Sequence, residues 1–147
     1  YEAEGWGVGE LRLSGGAVLA HARPHAGSGL APRGSHQLVE RFRAHLRGER
    51  VAYDDVELVL DWCTPLQRAL AEALRRVPWG ETVSYGELAA LAGAPRAPRA
   101  AGAFCGQSQV ALILPCHRVV SSGGIGGYGD EGVAVKRRLL ALEGVRL

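Results

Sequence analysis

Residues 84–108 read SYGELAALAGAPRAPRAAGAFCGQS, and this stretch decides the fold. Ser84 followed three residues later by Glu87 is a capping box, in which the hydroxyl and the carboxylate each take one backbone N–H at a helix start. Gly93 closes that helix, because glycine readily takes the left-handed conformation of a C-terminus. A short turn through Ala94 and Pro95 follows, and residues 97–108 are suited to a second short helix. Two short helices joined by a tight turn containing glycine make a helix-turn-helix pattern. Sequence alone leaves open a simple helical hairpin, which looks similar.

The surroundings extend the reading in both directions. Upstream, Thr64 suits an N-cap and Pro65 the first helical position, and LQRALAEALRRV at 66–77 puts its apolar residues on one face. Pro78, Trp79 and Gly80 stop that helix. Downstream lie the apolar run VALILP (110–115), the glycine-rich loop SSGGIGGYGDEG (121–132) and a final amphipathic helix, VAVKRRLLALEG (133–144). Near the start, GWGVGELRLSGGAVLAHARP (5–24) alternates in short pieces around Gly15-Gly16, which predicts an antiparallel hairpin or three-stranded sheet. Leu38, Val39, Phe42 and Leu46 then recur at helical spacing up to Gly48. The acidic, extended connector VAYDDVELVLDW (51–62) is the expected boundary. The expected class is α+β. A small N-terminal antiparallel β-sheet plus helix and connector (1–63) precedes a mainly helical domain with a helix-turn-helix (64–147).

With 147 residues, 47% hydrophobic and 22% charged, the chain has the profile of a globular protein able to bury a core. No apolar run approaches the roughly 20 residues of a membrane span, and no signal-peptide pattern is present. Cys63, Cys105 and Cys116 are odd in number and lack CxxC spacing. That argues against a disulfide framework or zinc finger and for a reducing, cytoplasmic setting. His21 and His25 are four apart, but Pro24 lies between them and no cysteine is near, so no metal is expected. The net charge of +2 hides an asymmetry: residues 1–63 sum to −2 and residues 64–147 to +4. A modestly basic C-terminal part is compatible with a phosphate backbone as partner.

The chemistry concentrates in ILPCHRVVSSGG, residues 113–124. An ordinary thiol is only a few per cent thiolate at neutral pH. It needs a base, and the base works best when a third group steadies its charge. His117 is the nearest base and Glu143 the best acidic partner for Cys116. From spacing alone two readings stand: this triad, or a buried thiol, a core histidine and a surface carboxylate. Adjacent residues on an extended segment point opposite ways, so a direct Cys116–His117 contact needs a bent backbone or a bridging water. A Cys-x5-Arg phosphatase loop is excluded by Ser122.

PCHRVV, with GETVSYGELAALAG upstream, PRAAG between and GGY…VAVKRRLLALEG downstream, closely resembles the O6-alkylguanine-DNA alkyltransferases, also called methylated-DNA–protein-cysteine methyltransferases. The resemblance runs from about Thr64 to Gly144. It implies DNA repair in which Cys116 irreversibly takes the alkyl group from O6 of guanine, once per molecule and without a cofactor. It also implies that His117 removes the thiol proton through a water, that Glu143 stabilises His117, and that Tyr85 donates toward N3 of the leaving guanine. The substrate base would be flipped out of the duplex, with Arg99 filling the gap from the minor groove. Ala100, Ala101, Gly102 and Ala103 would allow close approach to the DNA. Tyr128, Val119, Ser122 and Gly127 would line the base pocket, Arg118 would tie elements together, and Lys136 would support the site. The expected partner is double-stranded DNA bound by a monomer, nucleoid-associated when engaged.

Three departures from the family pattern stand out. Ser108 replaces the usual hinge asparagine. The Tyr128-to-Lys136 segment is one residue longer and carries Asp130 and Glu131. Pro98 replaces a small alanine before Arg99. Neither Cys63, at the domain boundary beside Trp62, nor Cys105, on the second helix, is expected to be an acceptor. Two competing readings are a DNA-damage-binding protein without transfer, whose relatives replace the motif cysteine kept here as Cys116, and a Cys-His hydrolase, which would need an oxyanion site.

Overall fold

The computed structural model describes residues 1–29, 34, 36–128 and 132–147. Asp130 and Glu131 lie outside the described residues. The chain divides into two compact units, residues 1–59 with 109–113, and residues 60–108 with 114–147.

In the first unit, β1 (Glu2–Ala3), β2 (Gly7–Ser14) and β3 (Ala17–His25) form an antiparallel sheet in that order. The expected turn closes β2 on β3: Ser14 pairs with Ala17, and Gly15 takes φ +62°. Such two-residue connections need a positive φ to match the strand twist. Two register shifts, at Val8/Glu10 and Arg12/Leu13, bend the hairpin. The connector adds to the outside of β3, where Val18 N–H donates to Glu57 O and Val59 N–H to Val18 O.

Helix α1 (Gln37–Leu46) buries Leu38, Val39, Phe42 and Leu46, the four residues its periodicity singles out. His21 stacks on Phe42, ring centroids 3.8 Å apart and nearly parallel. Its Nδ1–H donates to Ala111 O at 2.7 Å, because a carbonyl can only accept; Nε2 then accepts from Tyr1 Oη, also at 2.7 Å. Burial pushes its pKa down to about 4, so this histidine is a neutral core residue. His25 sits on the same strand, about 13 Å away at ~3.3 Å rise per residue, and is exposed.

The second unit opens with α2 (Pro65–Arg75), where Thr64 and Gln67 complete a capping box and Pro65 fills the first position. Leu70, Ala71, Ala73 and Leu74 are its buried stripe. Next come β4 (Val83–Ser84), α3 (Tyr85–Leu91) and α4 (Pro98–Gln107). Ser84 Oγ accepts from Glu87 N–H while Glu87 Oε1 accepts from Ser84 N–H, each at 3.0 Å. Gly93 leaves α3 with φ +83°. Leu88, Ala89, Ala101 and Phe104 are buried where the two helices pack; each large side chain taken fully from water stabilises by about 1.5–3 kcal/mol. The helix-turn-helix read from the sequence is therefore present. Beyond it, β5 (Val119–Val120) pairs in parallel with β4, and α5 (Val133–Leu142) closes the unit. Among the described residues, no helix is long and apolar enough to cross a membrane.

Candidate active site

Cys116 lies in a one-turn 3-10 helix, Cys116–Arg118, rather than on an extended segment. Pro115 fixes the entry, and the Cys116 N–H donates to Leu114 O at 2.8 Å, so the backbone bends before the thiol. Cys116, His117 and Arg118 are all buried.

His117 Nε2 meets Glu143 Oε2 at 2.7 Å, both side chains fully buried. Glu143 caps the end of α5 and serves a second partner. Arg118 Nε donates to Oε1 at 2.7 Å and its Nη2 to Oε2 at 3.1 Å, while Nη1 donates to Val77 O at 2.7 Å. The guanidinium also lies over Trp79. Arg118 thus ties the segment after α2 to the end of α5 and keeps the carboxylate beside His117 charged and oriented.

The Cys105 and Ser108 side chains, from α4 and its C-cap, act on the Cys116 thiol as hydrogen-bonding neighbours. Those hydrogen bonds, with the nearby Lys136 ammonium, hold the Cys116 thiol below the usual range against the opposing effect of burial. Cys105 is pushed up, because ionising it beside Cys116 would set two anions together in a buried place. Burial pushes the Cys63 thiol up, against the opposing charge of Arg68.

Tyr85 is half-buried, and burial together with Cys105 and Cys116 raises its pKa. Lys136 is fully buried; its Nζ donates to Val119 O at 2.6 Å and Gly127 O at 2.9 Å, and lies 5.8 Å from the Tyr85 ring centroid. The lysine therefore fastens β5 and the glycine loop beneath Tyr85. Gly126 permits the loop to close: it has φ +75°, and a Cβ there would lie 3.1 Å from Tyr85 Oη and from Ser121 N. Ser121 Oγ donates to Gly124 O at 3.1 Å within the same loop. Val119 is buried at its root, Tyr128 is half-buried, and Ser122 and Gly127 are exposed.

On α4, Arg99 and Ala103 are exposed, one helical turn apart, and Ala100 is half-buried. Ala101 is wholly buried on the side of α4 that packs against its neighbours. Gly102 faces the Tyr85 ring, where a Cβ would sit 3.8 Å from the nearest ring atom. Pro98 is the first helical residue, behind an N-cap, Ala97, that has no side-chain cap. The arrangement brings Cys116, His117, Glu143, Tyr85 and Lys136 together in one unit and leaves Arg99 out on the helix surface.

A buried thiol lowered by hydrogen bonds, flanked by a histidine–carboxylate pair and carried behind a helix-turn-helix, defines a cysteine-nucleophile protein with a nucleic-acid-binding type of scaffold. Comparison with known proteins narrows this. Residues 65–145 match the family described as 6-O-methylguanine DNA methyltransferase, DNA binding domain. A methylated-DNA–protein-cysteine methyltransferase of Mycolicibacterium paratuberculosis is 44% identical over 113 residues, 76% of this chain and 67% of that protein. The crystal structure of Mycobacterium tuberculosis OGT in complex with DNA superposes with a TM-score of 0.75 at 36% identity, covering 91% of this chain and 85% of that one. The O6-methylguanine-DNA methyltransferase of Pyrococcus kodakaraensis gives 0.72 at 25% identity, covering 92% and 89%. The chain belongs to the 6-O-methylguanine DNA methyltransferase family. It spans about two thirds of the length of the curated relatives it matches first, between 62% and 67%.

Proposed function

We propose that this protein repairs DNA by moving an alkyl group, typically methyl, from O6 of guanine onto its own Cys116. The observation that carries the reading is the environment of Cys116: a buried thiol, held below its usual range, next in the chain to a histidine locked onto a buried carboxylate. Nε2 of His117 is engaged by Glu143, so proton exchange with the thiol through a water falls to Nδ1. The Glu143 carboxylate stabilises the imidazolium that results.

In the transfer step the thiolate attacks the sp3 carbon on O6. A carbon–sulfur bond forms and the carbon–oxygen bond breaks, its electron pair passing into the guanine ring. The Tyr85 hydroxyl supplies a proton at N3, so the base leaves as a neutral tautomer of guanine and not as an anion, and becomes ordinary guanine when the proton is exchanged to N1. No oxyanion arises, and no cofactor or metal enters the balance. The thioether has no easy reverse, so each molecule acts once.

Reaching O6 requires flipping the nucleotide out of the duplex, at a cost of a few kcal/mol. Arg99, exposed on the first turn of α4, is suited to fill the vacated stack from the minor groove, with Ala100, Gly102 and Ala103 keeping the helix slim. Tyr128, Val119, Ser122 and Gly127 line the pocket for the flipped base. Residues 64–147 are the DNA-binding and acceptor part, residues 1–63 its supporting part, and the protein works as a monomer on DNA inside the cell, in the cytoplasm and nucleoid.

The test is a titration with duplex DNA carrying one O6-methylguanine labelled in its methyl group. Label should pass to protein up to one equivalent and stop, and C116A should take none. Tight binding to that DNA with no transfer would replace this reading by damage recognition alone; continued turnover would replace it by a hydrolase.

A further inference from the structure

Helix α4 reads PRAAGAFCGQ, and Phe104 is its one large apolar side chain. Most of its other residues are small, with Gly102 and Gly106 among them, and glycine weakens a helix. Its N-cap, Ala97, supplies no side-chain hydrogen bond. Caps and propensity therefore hold α4 weakly, and its place depends on what packs around Ala101 and Phe104, the two side chains it buries. Arg99 is exposed five residues before Phe104, about 140° round the helix at 3.6 residues per turn. Whatever seats Phe104 thus sets the direction of Arg99.

Part of that seat is Trp62. Its ring stacks on Phe104, centroids 6.3 Å apart and planes 15° from parallel, a geometry in which aromatic pairs attract beyond the area they bury. Phe104 is 2% exposed and Trp62 48%, so the indole covers the phenyl ring from the solvent side. The indole is itself firmly mounted. It sits in the turn before α2, where Cys63 N–H and Arg68 Nη2 both donate to Leu60 O, at 3.0 and 2.9 Å. The capping box of Thr64 and Gln67 then starts α2 directly behind it. Trp62 therefore joins the start of α2 to the buried side of α4.

We propose that Trp62 is a positioning residue for DNA binding: by stacking on Phe104 it sets α4, and with it Arg99, at the angle that meets the duplex. This rests on α4 being the DNA-facing helix of the reaction proposed above. Its part lies in binding, while the transfer step belongs to Cys116, His117, Glu143 and Tyr85. A tryptophan left at the surface by chance, as single apolar residues often are, would have no such effect.

The experiment compares the parent protein with W62A, W62F, R99A and W62A/R99A. Affinity for a fluorescein-labelled duplex is read by anisotropy. Single-turnover methyl transfer from O6-methylguanine duplex gives the half-saturating DNA concentration and the limiting rate, and denaturant unfolding is run beside both. W62A should weaken binding and raise the half-saturating concentration by about three- to tenfold, the range that a lost aromatic pair corresponds to. Its limiting rate should stay within about twofold of the parent, since the change is confined to binding. Phenylalanine keeps a stacking ring, so W62F should return the affinity to within about twofold. Because Trp62 acts through the helix that carries Arg99, W62A should cost less affinity in the R99A background than in the parent. A W62A protein that is less stable yet binds DNA as tightly as the parent would overturn the proposal. Equal losses in the two backgrounds, or W62F matching W62A, would overturn it too. A parent protein that accepts no methyl, with the W62A loss of affinity intact, would overturn the transferase reading and uphold this one, so the two fail separately.

Discussion

Glu143 serves His117 and Arg118 with one carboxylate, and that double duty sets what its replacement does. Removing it leaves the buried Arg118 guanidinium without its counter-charge, a situation that typically costs 3–5 kcal/mol. E143A is expected to lose about that much in denaturant unfolding, and E143Q, which keeps the shape but not the charge, less. Both should slow methyl transfer, since His117 loses the charge that steadies its protonated form. Tyr85 separates chemistry from folding more cleanly. Y85F should fold and bind DNA as before while transfer slows by about 10²-fold or more, the usual contribution of a positioned proton donor. Single-turnover rates on saturating DNA check this; an unchanged rate would remove Tyr85 from the proton path.

The elements carry their own consequences. Ser84 and Glu87 join β4 to α3 through a reciprocal cap, and S84A is expected to cost about 1 kcal/mol in unfolding free energy. The glycine loop is less forgiving. At Gly126 an alanine would meet both a positive φ and close contacts to Tyr85 Oη and Ser121 N. G126A should therefore cost roughly 1–3 kcal/mol and displace Tyr85, reducing transfer more than an equally destabilising change in α2. These elements were legible to different degrees. The caps at Thr64 and Ser84 and the periodicity of α1 and α2 depend on neighbours in sequence, so hairpin, helices and helix-turn-helix could all be read directly. The 3-10 turn at Cys116 could not. It arises from a hydrogen bond to Leu114 and from packing, and five apolar residues before a proline give no sign of it. The partners of Arg118, Glu143 and Val77, lie 25 and 41 residues away, so its tying role followed from the family resemblance and not from local sequence. The family motif identified Cys116, His117, Glu143 and Tyr85 together; spacing alone left them undecided.

For the molecule as a whole, pH and salt are the informative variables. His21 is buried neutral, with its pKa lowered to about 4. A depressed folded-state pKa leaves stability intact above the unfolded value, near 6.5, and lost as pH falls toward 4, because only the unfolded chain takes the proton readily. The window is therefore about pH 6.5 down to 4, and the loss on the order of 3 kcal/mol. Unfolding curves across that window should show it, and H21F should flatten the dependence. The charge asymmetry acts elsewhere. Residues 64–147 carry +4 against −2 for the rest, so DNA affinity should weaken steeply with added salt.

The most direct test of the account locates the alkyl group. After one equivalent of O6-methylguanine duplex has reacted, the protein is digested and its cysteine peptides are weighed. One methyl on the peptide containing Cys116, with Cys63 and Cys105 unmodified, is the predicted result. Methyl on Cys105, or on no cysteine while the DNA is nonetheless repaired, would contradict the assignment of Cys116 as acceptor.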